Sequence, residues 1–356
     1  PLRRPVRAAV PAVAGPRRPP AAPSAAVVPP PTPPLGHYRD VVVAPGDVVE
    51  VENLPYGRAA TSQGRWQNLL LAVHYVPSGR ARSDVRPAVV WVHGGYFVAG
   101  NKDSYPEVIA ELARAGYVVF SIDYRLQGGH FPEGLTPALV TEKRVDQYLD
   151  AIAQAQHDAE AAIRYVRLHA GEYDIDPAEV AVMGHSAGGL TATAVAMNAD
   201  SDPGSSGSPG PSSVANAAVS MSGGGLVGRG LHINAGDSPI LFVHGLADQV
   251  VPYGPAVPLA CAVTLAMGNV CEQVLDPDAG HEEYGLAEIR EFLFRHMVHR
   301  PGLIRPTNLT IDNYVLYLMR LLTLCLGTLS SFTPREVVAP SVVPCGYACE
   351  EAFCFA

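Results

Sequence analysis

Three side chains in this sequence have the types and the chain order that acyl transfer requires. Ser186 lies between glycines in residues 184–188, and Asp248 and His281 follow it along the chain. A serine hydroxyl becomes a nucleophile when an imidazole takes its proton, and a carboxylate holds that imidazole in one tautomer. The sequence therefore predicts Ser186 as nucleophile, His281 as general base and Asp248 as the acid that orients it.

A strand and a helix must position the serine. Residues 179–183 are apolar and indicate a buried strand, whereas residues 189–196 indicate a packed helix. A serine between two glycines at such a junction is typical of a nucleophile elbow, a turn so tight that only glycine fits on either side. The Ser186 hydroxyl would then stand over a helix N-terminus, where backbone amides favour a developing oxyanion.

The two partners of the serine each follow a predicted strand. An apolar strand precedes Asp248, and residues 270–275 form another strand before the loop that carries His281. Chemistry in open α/β sheets lies past the carboxyl ends of strands, as these positions require. Asp276 and Asp278 are alternatives for the acid, but either would need a tight loop to reach the imidazole, so Asp248 is preferred.

A further loop offers donors for the oxyanion. Residues 87–92 indicate a buried strand that runs into His-Gly-Gly, and consecutive glycines let backbone N–H groups turn inward. The predicted donors are the amide of Gly94 or Gly95 together with that of Ala187.

The residues around these motifs have both functional and structural interpretations. Tyr96 and Phe97 adjoin the glycine loop and are predicted to line the acyl pocket, with a core role as the alternative. Asp123 and Arg125 are interpreted as a structural ion pair or loop anchor. Asp158 is expected to have a similar packing or capping role.

These motifs resemble those of the α/β-hydrolase superfamily, and more closely serine esterases with an H-G-G motif. That group contains hormone-sensitive-lipase-like carboxylesterases, feruloyl-esterase-like enzymes and kynurenine formamidases. Residues 123–125 also look like its D-Y-R element, and the resemblance covers roughly residues 41–300. His185 and Tyr96 depart from the lipase-like branch, which usually has G-D-S-A-G and a third glycine. The H-G-x-x-D-x-x-V-P pattern around Asp248 instead looks like feruloyl-esterase and peptidase-like members.

The resemblance implies an α/β-hydrolase fold, with a mostly parallel central sheet, helices on both faces and no large cap domain. It implies a serine esterase that needs no cofactor or metal and acts on small-molecule or polymeric esters, including aromatic, feruloyl or polyester substrates. An amidase, a peptidase or a kynurenine-formamidase-like hydrolase would use the same triad. A non-catalytic binding protein of this fold is a remote alternative, since such proteins commonly lose a triad member.

Composition limits the other classes of function. A net charge of −9 and the absence of a basic stripe argue against binding of nucleic acid. Hydrophobic residues make up 48% of the chain and charged residues 17%, which is typical of a well-packed globular protein. No phosphate-binding glycine loop and no paired C-x-x-C occurs, so no cofactor or metal is expected. No membrane span is expected either.

The chain divides into three predicted regions. Residues 1–36 are rich in proline and alanine and are predicted to be a disordered linker or leader remnant. Residues 37–300 are predicted to form the catalytic domain, and residues 301–356 a tail of uncertain structure.

The cysteines favour an oxidising compartment. Cys261 and Cys271 are close enough in the predicted elements to form a disulfide if the compartment is oxidising, and free buried cysteines are the alternative. The even number of cysteines and the proline-rich leader favour secretion over a cytoplasmic location. The other cysteines all lie in the tail: Cys325, Cys345, Cys349 and Cys354.

Overall fold

A computed structural model describes residues 37–61, 64–77, 85–127, 142–198, 204–225 and 232–298. The predicted leader of residues 1–36 and the predicted tail of residues 301–356, with its four cysteines, lie outside the described residues. The domain predicted at 37–300 therefore contains all of the structure that follows.

The described residues form one eight-stranded sheet with the spatial order β1-β2-β4-β3-β5-β6-β7-β8. The strands are β1 Val49–Ala60, β2 Trp66–Tyr75, β3 Arg86–Val92, β4 Val118–Ile122, β5 Ile175–His185, β6 Ala217–Met221, β7 Ile240–Gly245 and β8 Cys271–Asp276. β1 and β2 pair in antiparallel fashion, and β2 pairs antiparallel with β4. All the remaining pairs are parallel. The mostly parallel sheet that the sequence predicts is confirmed.

Helices cover both faces of this sheet. They are α1 Pro106–Arg114, α2 Glu142–Leu168, α3 Ala187–Met197, α4 Ala256–Ala266 and α5 Leu286–Leu293. Side chains of α2, α3 and α4 pack in the apolar core on one face, and those of α1 and α5 pack in the core on the other. The central strands β3, β4, β6 and β7 are buried along their whole length, which explains their continuous apolar sequences.

The connection that could carry a cap domain is short. β6 and β7 are joined by residues 222–239, of which the structure describes 222–225 and 232–239. In the part of the chain that is described, no helix combines the length and apolar character needed to cross a bilayer.

Glycine is required where the elbow packs against β3. A Cβ atom added at Gly188 would lie 2.0 Å from the carbonyl oxygen of Val92, and one at Gly184 would lie 2.6 Å from the same atom. Both contacts are with backbone, which a side-chain rotation cannot relieve. The close approach brings the start of α3 directly beside the end of β3, and with it the elbow beside the glycine loop.

We expect Gly188→Ala to lower the free energy of unfolding by about 1–3 kcal/mol, the usual range for overpacking a buried site. Urea unfolding monitored by circular dichroism measures this change. Gly171→Ala is the matched control, because a Cβ there meets nothing within 4 Å. A Gly188→Ala variant as stable as Gly171→Ala would contradict the packing described here.

A disulfide bond joins α4 to β8. Cys261 and Cys271 are bonded, with their Cα atoms 5.4 Å apart and a sequence separation of 10 residues. Of the two alternatives that the sequence leaves for these cysteines, the structure has the disulfide, which links the helix after the Asp248 loop to the strand before the His281 loop.

Reduction of this disulfide is expected to destabilise the fold by about 2–3 kcal/mol, the loop-closure entropy of a ring of this length. The comparison is the urea midpoint with and without reductant, with a Cys261→Ala/Cys271→Ala double variant as the control. Reductant should lower the midpoint of the wild type and leave that of the double variant unchanged. Equal midpoints for all samples would show that the bond adds no stability.

Candidate active site

Ser186 lies at the turn between β5 and α3 with a strained backbone. Its φ and ψ angles are 56° and −119°, a conformation that side-chain-bearing residues rarely adopt. The turn is held on both sides, since the Ser186 amide donates to the carbonyl of Met221 at 2.8 Å and the Leu190 amide donates to the Ser186 carbonyl at 3.0 Å. This geometry sets the hydroxyl at the carboxyl edge of the sheet and over the N-terminus of α3.

The structure brings Ser186, His281 and Asp248 into one hydrogen-bonded line. The Nε2 atom of His281 is 2.9 Å from the Oγ atom of Ser186. The Nδ1 atom of the same ring is 2.7 Å from the Oδ2 atom of Asp248. An Nδ1–H that donates to the carboxylate leaves Nε2 free to accept the serine proton, which is the arrangement that general-base activation needs.

The alternative acids do not occupy this position. The Oδ1 atom of Asp276 accepts the backbone amides of Asp278 and Ala279 at 2.9 and 3.2 Å. Asp276 therefore closes its own turn, and Asp278 is exposed. The imidazole of His281 contacts Asp248, 33 residues away in sequence.

Hydrogen bonds keep Asp248 ionised although its side chain is buried. Burial alone would raise the pKa of Asp248, but hydrogen bonds from His281 and from the amides of Val251 and Val250 outweigh it and lower the pKa below its usual value. The two amides donate to Oδ1 at 3.0 and 2.8 Å, which leaves Oδ2 for the imidazole. Oδ1 therefore holds the loop through the two amides, and Oδ2 binds the imidazole of the histidine.

His244 fixes the same loop from inside the sheet. This fully buried residue of β7 has its Nε2 atom 2.6 Å from the carbonyl oxygen of Val251 and 3.5 Å from Oδ2 of Asp248. Burial lowers the pKa of His244, so the ring is neutral and donates its Nε2–H to Val251. The sequence shows His244 only as part of the H-G-x-x-D pattern and gave no sign of this contact.

The predicted oxyanion donors lie beside the serine. A Cβ at Gly94 would lie 3.1 Å from the Cβ of Ser186, so the glycine loop passes directly over the nucleophile. Ala187 is the first residue of α3, where amides have no acceptor within the helix. His93 orients the loop, because its Nδ1 atom is 2.6 Å from the Gly94 carbonyl and its ring stacks on Tyr124. Since the Gly94 carbonyl and the Gly95 N–H belong to one trans peptide, holding the carbonyl also fixes the direction of that N–H.

Tyr96 and Phe97 separate into different environments. Phe97 is fully buried and packs edge-on against Tyr124 and Tyr148 in the core, so the pocket role predicted for it is corrected to the core role. Tyr96 is 46% exposed. Only Tyr96 of the pair is available to a substrate in this structure. Both residues have positive φ angles, 54° and 62°, so the strain of the elbow continues through the glycine loop.

The D-Y-R segment anchors the site in a different way from the expected ion pair. Arg125 pairs with Asp158, which is buried, and not with Asp123; the Nε atom of Arg125 is 3.0 Å from each carboxylate oxygen. Asp123 instead accepts the amide of Lys102 at 2.7 Å, which ties the chain after the glycine loop to the end of β4. Asp123 and Arg125 are therefore both structural anchors, but they do not pair with each other, and the partner of Arg125 lies on α2.

The sheet, the elbow and the Ser186–His281–Asp248 line together are the arrangement of the α/β-hydrolase fold. The comparisons with known proteins agree. The BD-FAE family model matches residues 74–216, from β2 to just before β6.

Named relatives and a solved structure extend this similarity. The chain is 34% identical to Esterase LipI of Mycobacterium tuberculosis over 114 residues, which is 32% of this chain and 29% of the relative. It is 33% identical to Carboxylesterase NlhH of the same species over 116 residues, covering 32% and 30%. The chain thus spans between one-fifth and about three-tenths of the length of the curated relatives it matches.

A solved esterase covers more of the molecule. The structure of Thermogutta terrifontis esterase 2 phosphorylated by paraoxon matches with a TM-score of 0.52 and 26% identity. The match covers 71% of this chain and 95% of that one. The predicted α/β-hydrolase fold is therefore confirmed.

Proposed function

We propose that this protein hydrolyses carboxylic esters through an acyl-enzyme intermediate on Ser186. The observation that supports this most strongly is the continuous line from the serine Oγ through His281 to Asp248, with distances of 2.9 and 2.7 Å. LipI, NlhH and the Thermogutta terrifontis protein are named esterases or carboxylesterases, which favours esters over amides as substrates.

The proposed reaction has two halves. His281 takes the Ser186 proton as the hydroxyl attacks the ester carbonyl, and Asp248 stabilises the imidazolium that forms. The amides of Gly94 or Gly95 and of Ala187 hold the oxyanion; loss of one such donor typically lowers kcat about 100- to 1000-fold. His281 then protonates the leaving alcohol, and in the second half it activates the water that releases the acid.

We also propose that the acyl site is fairly open. Small esters are the main proposed substrates, and aromatic or polymeric esters are a narrower proposal. The exposed ring of Tyr96 beside the glycine loop supports this, as does the short connection between β6 and β7. The Cys261–Cys271 disulfide supports secretion into an oxidising compartment.

Hydrolysis of p-nitrophenyl acetate, butyrate and octanoate by the wild type and by Ser186→Ala tests the proposal. Turnover that disappears in the variant supports a serine esterase, and the trend with chain length measures the size of the acyl pocket. A matched series of anilides tests the amidase alternative. A folded wild type that cleaves anilides and no ester would contradict the proposal.

A further inference from the structure

A second set of contacts joins the same two segments that carry Ser186 and His281. His185 precedes the serine on the elbow, and Glu283 follows the histidine by two residues in its loop. The Nδ1 atom of His185 is 3.5 Å from the Oε1 atom of Glu283. The elbow and the histidine loop therefore meet twice, once through the proposed reacting groups and once through this adjacent pair.

Tyr105 adds a third segment to these contacts. Its hydroxyl lies 3.0 Å from Nδ1 of His185, and its ring lies 5.1 Å from the imidazole. The same hydroxyl covers the glycine loop, since a Cβ at Gly94 would be only 2.7 Å from it. Tyr105 is itself held in a left-handed conformation, with φ 67° and ψ 49°, at the N-terminus of α1.

The proton arrangement follows from the groups that face Nδ1. A carboxylate carries negative charge and can only accept, so Glu283 at 3.5 Å favours the tautomer of His185 with its hydrogen on Nδ1, and that hydrogen is donated to the oxygen of Tyr105 at 3.0 Å. The titratable and charged groups around the ring are Tyr105, Glu283, His281, Asp248 and His244. Burial, followed by the charge of His281, lowers the pKa of His185 to about 3, so this ring remains neutral when its neighbour becomes protonated.

We propose that Tyr105, His185 and Glu283 are positioning residues that hold the glycine loop, the elbow and the histidine loop in register for the reaction. We name this group the Tyr105–His185–Glu283 clasp. The inference rests on the proposed function, because it concerns the geometry in which Ser186 and His281 react. The rings of His185 and His281 are 4.8 Å apart, so a displaced clasp changes the approach of the imidazole to the serine directly.

Two conservative variants test the clasp, and two variants of residues of the same type serve as controls. Tyr105→Phe removes only the hydroxyl, and Glu283→Gln removes only the charge. Tyr75→Phe and Glu282→Gln are the matched controls: Tyr75 lies at the end of β2 beside the start of β4, at the opposite edge of the sheet from the site, and Glu282 is the exposed carboxylate next to Glu283. All rates are expressed per active site titrated with an organophosphate, so that partial misfolding does not count as lost catalysis.

We expect Tyr105→Phe to lower kcat for p-nitrophenyl butyrate about tenfold with KM within about twofold, because misplacement of the reacting groups affects the transition state and not ground-state binding. Glu283→Gln should lower kcat about threefold, also with KM within about twofold, because it weakens the contact of the histidine loop with His185. The double variant should lose less than the product of the singles, because both act through His185.

The outcomes separate the clasp from the proposed function. An active wild type whose Tyr105→Phe and Glu283→Gln variants match their controls in kcat and in KM would overturn the clasp alone. Variants that lose only thermal stability, with unchanged catalysis, would also overturn the clasp. A wild type with no Ser186-dependent turnover would overturn the proposed function, and the clasp as a catalytic device with it.

Discussion

Ser186→Ala and His281→Ala are each expected to lower kcat about a million-fold, and the double variant should lose no more than either single variant. The reason is that the hydroxyl and the imidazole act as one unit across a 2.9 Å hydrogen bond, and neither promotes attack without the other. Steady-state hydrolysis of p-nitrophenyl butyrate at high enzyme concentration measures the residual rates.

Two control variants accompany this prediction. Ser220→Ala changes a buried serine in the neighbouring strand β6, and His169→Ala changes a partly exposed histidine just after α2. Both should retain wild-type activity within about threefold, as changes outside the reacting groups usually do. Additive losses in the double variant, or a Ser220→Ala variant as impaired as Ser186→Ala, would contradict the assigned roles.

Asp248→Asn is expected to lower kcat about 10,000-fold while the protein remains folded. The amide oxygen of asparagine can still accept the Val250 and Val251 amides that Oδ1 accepts at 2.8 and 3.0 Å. The NH₂ group then faces Nδ1 of His281 and donates to it, which leaves the ring hydrogen on Nε2. An imidazole in that tautomer points a hydrogen at the serine and cannot take its proton.

The control for the acid is Asp276→Asn, which changes the alternative carboxylate in the turn before His281. Its amide-binding role survives in asparagine, so activity should stay within about tenfold of the wild type. Circular dichroism and the urea midpoint establish that both variants are folded. An Asp248→Asn variant within tenfold of the wild type, or a larger loss in Asp276→Asn, would assign the acid role differently.

The elements that carry the site were predictable because their patterns are local. An apolar strand, a Gly-His-Ser-Ala-Gly turn and an apolar helix are adjacent in sequence, and the structure has them as β5, Ser186 and α3. Buried parallel strands are continuous apolar runs, which also made β3 and β7 visible before the loops that carry Gly94 and Asp248. Asp248 was preferred to Asp276 because Asp276 would need a tight loop to reach the imidazole of His281.

The contacts that the sequence did not predict form between side chains that are far apart along the chain. Arg125 pairs with Asp158, 33 residues away and on a different element, and nothing in the D-Y-R motif names that partner. Phe97 adjoins the glycine loop in sequence, but its φ of 62° turns the ring into the core. Tyr105 and Glu283 belong to no motif, and the sequence analysis missed both; the signals that could have found them are Pro106 at a helix start and the spacing of two from His281.

Covalent labelling by paraoxon identifies the nucleophilic residue itself. The protein is incubated with the organophosphate, and the modified residue is located by peptide mass spectrometry while esterase activity is followed. The role of Ser186 as nucleophile predicts one phosphoryl group on that residue, formed in parallel with the loss of activity and absent from Ser186→Ala. Labelling of another residue, or full activity retained by a protein labelled at Ser186, would contradict it.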